Sequence, residues 1–333
     1  MIRALNWLEC RGQERVMAVR EAAHILLDAY RRGREDPEPV DLARLADSLH
    51  VRIRRVAALG DIAHIVPVGD GFEIVVGTGA SWARLRMSIA HELVHTLFYH
   101  REGGYVRRLV PASDIERQAR EEAFCFDVGR VLLVPPWHLE RSGIASMTDP
   151  AEALTALCRR FRVSAHIGAR LLLQDYRLMD GIAGEWEVVQ GRWEVKPGCL
   201  YSDPIMSKSH RALLAVWSRK LLEAGWSTAR GSTHLGWAQV RMDAELAHHF
   251  LSRIPGVGTT RARNIADRVG GRPDYSSPPT PTQLGVIPGI GEGRARAIAA
   301  ALREVIALDY SVRAGAEGTS AFILARSSSG QGL

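Results

Sequence analysis

The chain has 333 residues, of which 46% are hydrophobic, as is typical of a globular protein with two or three domains. Its formal net charge of +6 and isoelectric point of about 9.4 are compatible with a polyanionic partner without establishing one. Four scattered cysteines with no CxxC pair argue against a disulfide framework. The sequence has neither a signal-peptide pattern nor an apolar run of about 18 residues, so we expect a cytoplasmic protein with no membrane partner.

The N-terminal part of the sequence predicts a small α+β core. Apolar residues at helical spacing predict amphipathic helices over residues 15–34 and 40–50. Strand-like stretches follow at residues 51–53, 62–68 and 72–76. Asp70-Gly71 precedes the last of these stretches and is a typical hairpin turn signal. We therefore expect a short sheet covered by helices.

The next predicted helix carries the sequence H-E-L-V-H from His91 to His95, in an apolar stretch that neither Gly nor Pro interrupts. Positions i and i+4 share one face of a helix, so the two imidazoles would lie side by side as ligands of one Zn²⁺. Glu92 follows the first histidine, where its carboxylate could reach a water molecule and act as general base. The alternative is an amphipathic helix that carries two histidines by chance.

A third ligand is expected on a second predicted helix, which spans residues 114–134. Its acidic residues are Glu116, Glu121, Glu122 and Asp127. We place Glu122 on roughly the face of Val128 and Leu132, where a carboxylate is costly unless it is paired or bound to a metal. We place Glu116 and Glu121 on a solvated face. Periodicity alone leaves open whether Glu122 is a ligand.

Three phrases of the sequence together resemble the ImmA/IrrE family of zinc metallo-endopeptidases. They are residues 87–95, 122–135 and 157–171. The resemblance covers about residues 15 to 178, with Val94 in place of the usual Gly and Val128-Gly129 in place of Phe-Ala. It implies a mainly helical, zincin-like protease core and a protein substrate, often a helix-turn-helix repressor in stress or mobile-element control. The residues that it assigns are His91, His95 and Glu122 as Zn²⁺ ligands and Glu92 as the catalytic base.

Residues 181–248 are rich in tryptophan. The five tryptophans are Trp186, Trp193, Trp217, Trp226 and Trp237. Residues 185–195 alternate around Gln190-Gly191 as in a β-hairpin, and residues 207–224 have the pattern of a helix. We expect these tryptophans to fill the core of a small domain, although aromatic residues near basic ones can also stack on nucleic-acid bases.

The C-terminal region contains one phrase twice, at residues 254–265 and again 33 residues later at 287–298. Each copy places two glycines before a helix, where backbone N–H groups can bind an anion. The duplication resembles a tandem helix-hairpin-helix domain, which grips DNA phosphates without sequence preference. The candidate DNA-binding residues are Gly256, Gly258, Thr259, Arg261, Gly289, Gly291, Gly293 and Arg294. Paired hairpins that dock a protein, or a second copy of this chain, are the alternative.

These observations predict an α+β protein with four segments. They are residues 1–180, an ImmA/IrrE-like zinc metallopeptidase domain; 181–248, a small Trp-rich α/β segment; 249–313, an all-α tandem helix-hairpin-helix domain; and 314–333, a flexible tail. The expected function is Zn²⁺-dependent cleavage of a regulatory protein, coupled to DNA binding. The competing hypothesis is a non-catalytic DNA-binding regulator with a structural zinc site, which a fourth ligand such as His100 or Cys125 would favour. Otherwise Cys125 is expected in the core.

Overall fold

The structure, a computed structural model, has a mixed α+β fold. It describes residues 2–31, 38–60, 63–102, 105–179, 181–202, 204, 208–223, 238–240, 248, 251–252, 257–270, 280–306, 308–314 and 320–327. The chain folds as two compact units. Unit 1 consists of Met1–Met147 and Ala153–Leu171, and unit 2 of Thr148–Glu152 and Leu172–Leu333.

Unit 1 is built from helices around a three-stranded sheet. Its helices are α1 (Ile2–Trp7), α2 (Gly12–Arg31), α3 (Leu42–Ser48), α4 (Trp82–His95), α5 (Ile115–Leu133), α6 (Pro136–Ser142), most of α7 (Pro150–Phe161) and α8 (Ala165–Arg170). Its strands are β1 (Val51–Val56), β2 (Ala63–Val68), β3 (Gly71–Gly77), β4 (Tyr99–Glu102) and β5 (Tyr105–Arg108). The predicted helices and strands of this part are thus present, with ends shifted by a few residues.

The sheet of unit 1 has the order β1-β3-β2. The central strand β3 pairs parallel with β1 and antiparallel with β2, and four of its seven residues are buried and apolar. The pairing of Val68 with Gly71 leaves Gly69-Asp70 as the hairpin loop. The predicted hairpin is confirmed, but its turn lies one residue earlier than Asp70-Gly71, because Gly69 takes the positive φ of 61°.

Unit 2 combines a five-stranded antiparallel sheet with helices. Its strands are β6 (Gly181–Val189), β7 (Arg192–Ser202), β8 (Ala238–Val240), β9 (Leu308–Ala314) and β10 (Ser320–Ser327), in the order β7-β6-β10-β9-β8. Its helices include α9 (Lys208–Glu223), α10 (Thr259–Gly270), α11 (Pro281–Gly285) and α12 (Glu292–Ile306). The predicted hairpin is confirmed, since Gln190 and Gly191 link β6 to β7 with φ of 50° and 76°.

The structure corrects two predictions for this part of the chain. Residues 320–327 do not belong to a flexible tail: they form β10, the middle strand of the sheet, whose residues 321–325 are buried. The segments 181–248 and 249–313 are not separate, and the second is not an all-α domain. Side chains of β6, α9, α10, α12 and β10 share one core. A buried strand needs a partner on each side: β9 precedes β10 directly in the sequence, whereas β6 pairs with it from more than a hundred residues earlier.

The tryptophan prediction is confirmed where the structure describes the side chains. Trp186 is fully buried in the core of unit 2, and Trp193 packs against that core. Trp226 and Trp237 lie outside the described residues, as does the side chain of Trp217. Within the described part of the chain, no helix is both long and apolar enough to cross a membrane.

Candidate metal centre and candidate nucleic-acid interface

Helix α4 presents both predicted histidines on one face. The helix begins after Ser81, whose hydroxyl accepts a hydrogen bond from the backbone N–H of Arg84, and it is buried along most of its length. His91 and His95 are 6% and 5% exposed. Their Nε2 atoms lie 3.1 Å apart, so both imidazoles direct the same nitrogen at one point in space.

Helix α5 brings Glu122 to that point. Its Oε2 lies 3.0 Å from Nε2 of His91, and its Oε1 lies 3.4 Å from Nε2 of His95. The hydrogen bond with His91, and then that with His95, lower the pKa of Glu122, so this carboxylate is ionised. The structure therefore places His91, His95 and Glu122 within metal-binding distance of one another.

Gly129 lets the two helices approach closely enough for this arrangement. A Cβ atom at position 129 would lie 2.9 Å from the terminal methyl of Met87 and 3.3 Å from the backbone nitrogen of His91. The absence of a side chain here permits close packing beside the first histidine.

Glu121 corrects the prediction that this residue faces solvent. Its side chain is fully buried, and its Oε1 accepts hydrogen bonds from Nδ1 of His95 at 2.7 Å and from Arg108 at 3.3 Å. A hydrogen bond at Nδ1 fixes the tautomer that leaves Nε2 free to bind a metal. Glu116 is exposed, as predicted.

Cys125 is a core residue beside the centre. The thiol is completely buried, and burial raises its pKa to about 11, so it stays protonated at neutral pH. Its Sγ lies 3.5 Å from Nδ1 of His95. The nitrogen of His95 that faces His91 and Glu122 is the other one, Nε2. Among the described residues, neither Cys125 nor His100 joins the three-residue group.

Glu92 is positioned for a different role. It is 8% exposed, and the backbone of Ile65 on strand β2 donates a hydrogen bond to its carboxylate. Burial raises the pKa of Glu92, while the neighbouring histidines oppose that change. A carboxylate held next to the ligand group, yet outside it, has the placement of a general base.

Phe126 forms part of the outer surface of the centre and was not among the predicted site residues. Its ring centroid lies 4.1 Å from that of His91, and 47% of the side chain is exposed. Its position four residues after Glu122, one turn along α5, is the sequence signal that could have indicated it.

Where the structure describes both copies of the repeated phrase in unit 2, equivalent positions have the same burial. Val257, Ala262 and Ile265 in the first copy and Ile290, Ala295 and Ile298 in the second are all buried. Gly256 lies outside the described residues. The other candidate positions, Gly258, Thr259, Arg261, Gly289, Gly291, Gly293 and Arg294, are exposed.

Gly258 and Gly291 each precede a helix, and their carbonyls accept its first hydrogen bond, from Ala262 at 3.0 Å and Ala295 at 2.9 Å. Neither glycine has a positive φ, and a Cβ at either would meet nothing within 4 Å. The fold itself therefore does not require glycine at these two positions.

Arg261 and Arg294 converge on the second turn. A Cβ at Gly289, which has φ of +81°, would lie 2.9 Å from the guanidinium of Arg261. Nη1 of Arg294 donates to the carbonyl of Gly289 at 3.4 Å. Both arginines thus contact the chain itself as well as solvent.

No model of a known protein family matches this chain, and no curated protein matches it. Any functional proposal therefore rests on the geometry of the two sites and on the sequence resemblance.

Proposed function

We propose that this chain is a zinc-dependent endopeptidase of the ImmA/IrrE type, in which His91, His95 and Glu122 bind Zn²⁺. The observation that supports this most directly is the spacing of the three ligand atoms, 3.0 to 3.4 Å. Ligands about 2.0–2.1 Å from a tetrahedral Zn²⁺ lie about 3.3 Å from one another. A shared cation also explains why two imidazole nitrogens and a carboxylate face one point.

The donor chemistry suits Zn²⁺. Two imidazoles and one carboxylate are a ligand set found in catalytic zinc sites, which keep a further coordination position open. In the part of the chain that the structure describes, no fourth His, Cys, Asp or Glu joins the group. This supports an open position, and with it an enzyme, over the alternative of a non-catalytic regulator with a structural zinc site.

The chain's own residues supply the proton transfers. Bound Zn²⁺ acts as a Lewis acid that acidifies water and polarises a carbonyl. The carboxylate of Glu92 accepts the proton of the attacking water and passes it to the leaving amine. Glu121 holds the imidazole of His95 in place through Nδ1, and Arg108 holds Glu121. The exposed ring of Phe126 offers an apolar contact to the peptide being cut.

We propose a specific regulatory protein as substrate, such as a helix-turn-helix repressor, because the sequence resembles a family that cleaves such proteins. The zincin-like architecture of unit 1 is part of the same proposal. Its helices α4 and α5 bring the H-E-L-V-H segment and the downstream glutamate together, which such a fold requires.

We also propose that the repeated phrase in unit 2 forms two helical hairpins that bind the DNA backbone. The fold does not need glycine at positions 258 and 291 for its backbone conformation or its packing. Glycine at these positions is better explained by a ligand that approaches the backbone closely. The preceding helix of the second copy, α11, is capped by Thr280 and Gln283, and the turn leads directly into α12. Docking of a protein on the same turns is the alternative.

The protease proposal is tested with purified protein and a peptide library. Treatment with a chelator should remove about one Zn²⁺ per chain and abolish cleavage, and added Zn²⁺ should restore cleavage. His95→Ala serves as the ligand variant and His100→Ala as its matched control. Full cleavage by the His95→Ala protein would refute the proposed centre.

A further inference from the structure

A second candidate site lies on the other side of helix α4. Arg86 precedes His91 by five residues, which places it about 140° around the helix and about 7.5 Å along it. Arg86 is more than nine-tenths buried, with only 6% exposed. It lines a cavity of about 280 Å³ whose lining includes none of His91, His95 and Glu122.

The charge of Arg86 is poorly compensated. Its Nη2 donates to the carbonyl of Val40 at 3.0 Å, and its Nε has no hydrogen-bond partner among the described residues. A guanidinium carries five N–H donors, and the one on Nε of Arg86 is buried without an acceptor. A buried cation of this kind is unfavourable unless an anion accompanies it.

Neighbouring charges compensate Arg86 only in part. Burial lowers the pKa of Arg86, and the positive charge of Arg162 lowers it further. Asp41 opposes this change, but its Oδ1 accepts hydrogen bonds from the backbone of Ala43 and Arg44 at the start of α3. Arg55 also lines the cavity, with its guanidinium 5.9 Å from the ring of Trp82. The cavity therefore has two cations and one carboxylate, one of whose oxygens already caps helix α3.

The remaining walls are apolar. Ile53, Leu85 and Ile89 line the cavity, and the half-exposed ring of Trp82 completes its lining. A planar carboxylate matches the fork of an arginine, and apolar walls match a hydrocarbon body. We propose that this cavity, the Arg86 cavity, binds the carboxylate of a small organic acid whose apolar body packs on Ile53, Leu85 and Ile89.

The test uses the full chain and four probe acids: acetate, butyrate, benzoate and phenylacetate. Binding is measured by isothermal titration calorimetry and by the rise in unfolding temperature. Benzoate or phenylacetate should bind at one site per chain and stabilise the protein, whereas the neutral analogue benzamide should not. If none of the four acids binds, or if phenyl phosphate binds and the acids do not, the proposal is wrong.

Two variants and a matched control locate the site. Arg86→Met removes the buried charge at similar length and should abolish the response to benzoate. Arg55→Gln changes an exposed residue, so it should leave folding intact and weaken binding about tenfold. Arg54→Gln is the control, because Arg54 is the preceding residue on β1 and pairs with Glu73 outside the cavity. Equal affinity in the wild-type and Arg55→Gln proteins would overturn the proposal.

A carboxylate could also bind directly to a metal ion. The titration is therefore repeated with His91→Ala and with chelator-treated wild-type protein. Binding that persists in both assigns the probe to the Arg86 cavity, whether or not the protease proposal holds. Binding that is lost in both belongs to the metal centre and contradicts the inference.

Discussion

At the scale of single residues, Glu121 and Glu122 show how neighbouring acids acquire different roles. Glu121 precedes Val128 by seven residues, which leaves it about 20° from Val128 around α5, whereas Glu122 is about 120° away. Glu121 therefore belongs to the buried stripe and accepts the hydrogen bond of His95. Glu122 lies at the edge of that stripe, half exposed, where it can face both histidines.

We predict that these two glutamates affect the metal differently. Glu122→Gln should remove a ligand and leave the protein without stoichiometric Zn²⁺. Glu121→Gln should retain Zn²⁺ but weaken its binding about 10- to 100-fold, because Glu121 only orients a ligand. Competition with a chromogenic chelator measures both, with the exposed Glu116→Gln as control. Wild-type affinity in the Glu122→Gln protein would show that another residue is the ligand.

The thiol of Cys125 gives a pH-dependent prediction. Burial raises its pKa to about 11, so the reactive thiolate is absent at pH 8 and forms only as the pH approaches that value. In native protein at pH 8, Cys125 should resist a thiol reagent while Cys10, which is partly exposed, reacts. Mass spectrometry of the labelled peptides compares the two, and unfolded protein provides the control. Rapid labelling of native Cys125 at pH 8 would contradict its burial.

At the scale of elements, the sequence predicted α4 and α5 well because each has a strong apolar pattern, and α5 begins directly after Asp114. It also predicted the i, i+4 histidine pair, which depends only on local helix geometry. The prediction for Glu121 is wrong because Glu121, and not Glu122, lies seven residues or about two helical turns before Val128, on the buried face of α5. The close approach at Gly129 depends on two helices at once and has no local signal.

Gly129 should therefore be sensitive to substitution. In Gly129→Val, the added atoms would collide with Met87 and with the backbone at His91. We expect a loss of about 1–3 kcal/mol in the free energy of unfolding, together with weaker Zn²⁺ binding. Chemical denaturation measures the loss. Ala123→Val is the matched control, because it adds a β-branched side chain at an exposed position of the same helix. Equal effects of the two changes would mean that the close approach is unimportant.

At the scale of the whole molecule, strand β10 could not be predicted from its own sequence. Its partners β6 and β9 lie on opposite sides of it in the sheet, and β6 is more than a hundred residues earlier in the chain. Short apolar runs near a C-terminus do not specify such pairing. The shared core of unit 2 is likewise a long-range property, because residues from Ile182 to Ala325 contribute to it.

Removal of residues 315–333 should therefore disrupt unit 2. The deletion eliminates the middle strand of the sheet and leaves β6 and β9 with exposed edges. We expect increased protease sensitivity after residue 171, with Zn²⁺ binding retained by unit 1. Deletion of residues 328–333 alone is the control, since it spares β10. Unchanged protease resistance in the longer deletion would refute the structural role of β10.

DNA binding by the two hairpins is tested on the intact chain, since the hairpins share their core with the sheet. Gly258→Val and Gly291→Val together should abolish binding to random-sequence duplex without loss of Zn²⁺. Gly285→Val, also at an exposed glycine with open space around it, is the control. Binding by the wild-type protein should weaken with salt, with a log–log slope of about −0.9 per phosphate contacted. A folded wild-type protein that gives no gel shift at low salt would favour protein docking instead.

The central claim, that Glu92 is the general base of a zinc endopeptidase, is tested most directly by Glu92→Gln. Zn²⁺ content and peptide cleavage are measured on the same preparation, with Glu116→Gln as the matched control. We predict full Zn²⁺ occupancy and a loss of cleavage of about 10²- to 10⁴-fold, because an amide cannot accept the proton of water. Cleavage by Glu92→Gln at the rate of the control, with Zn²⁺ bound, would contradict the proposed function.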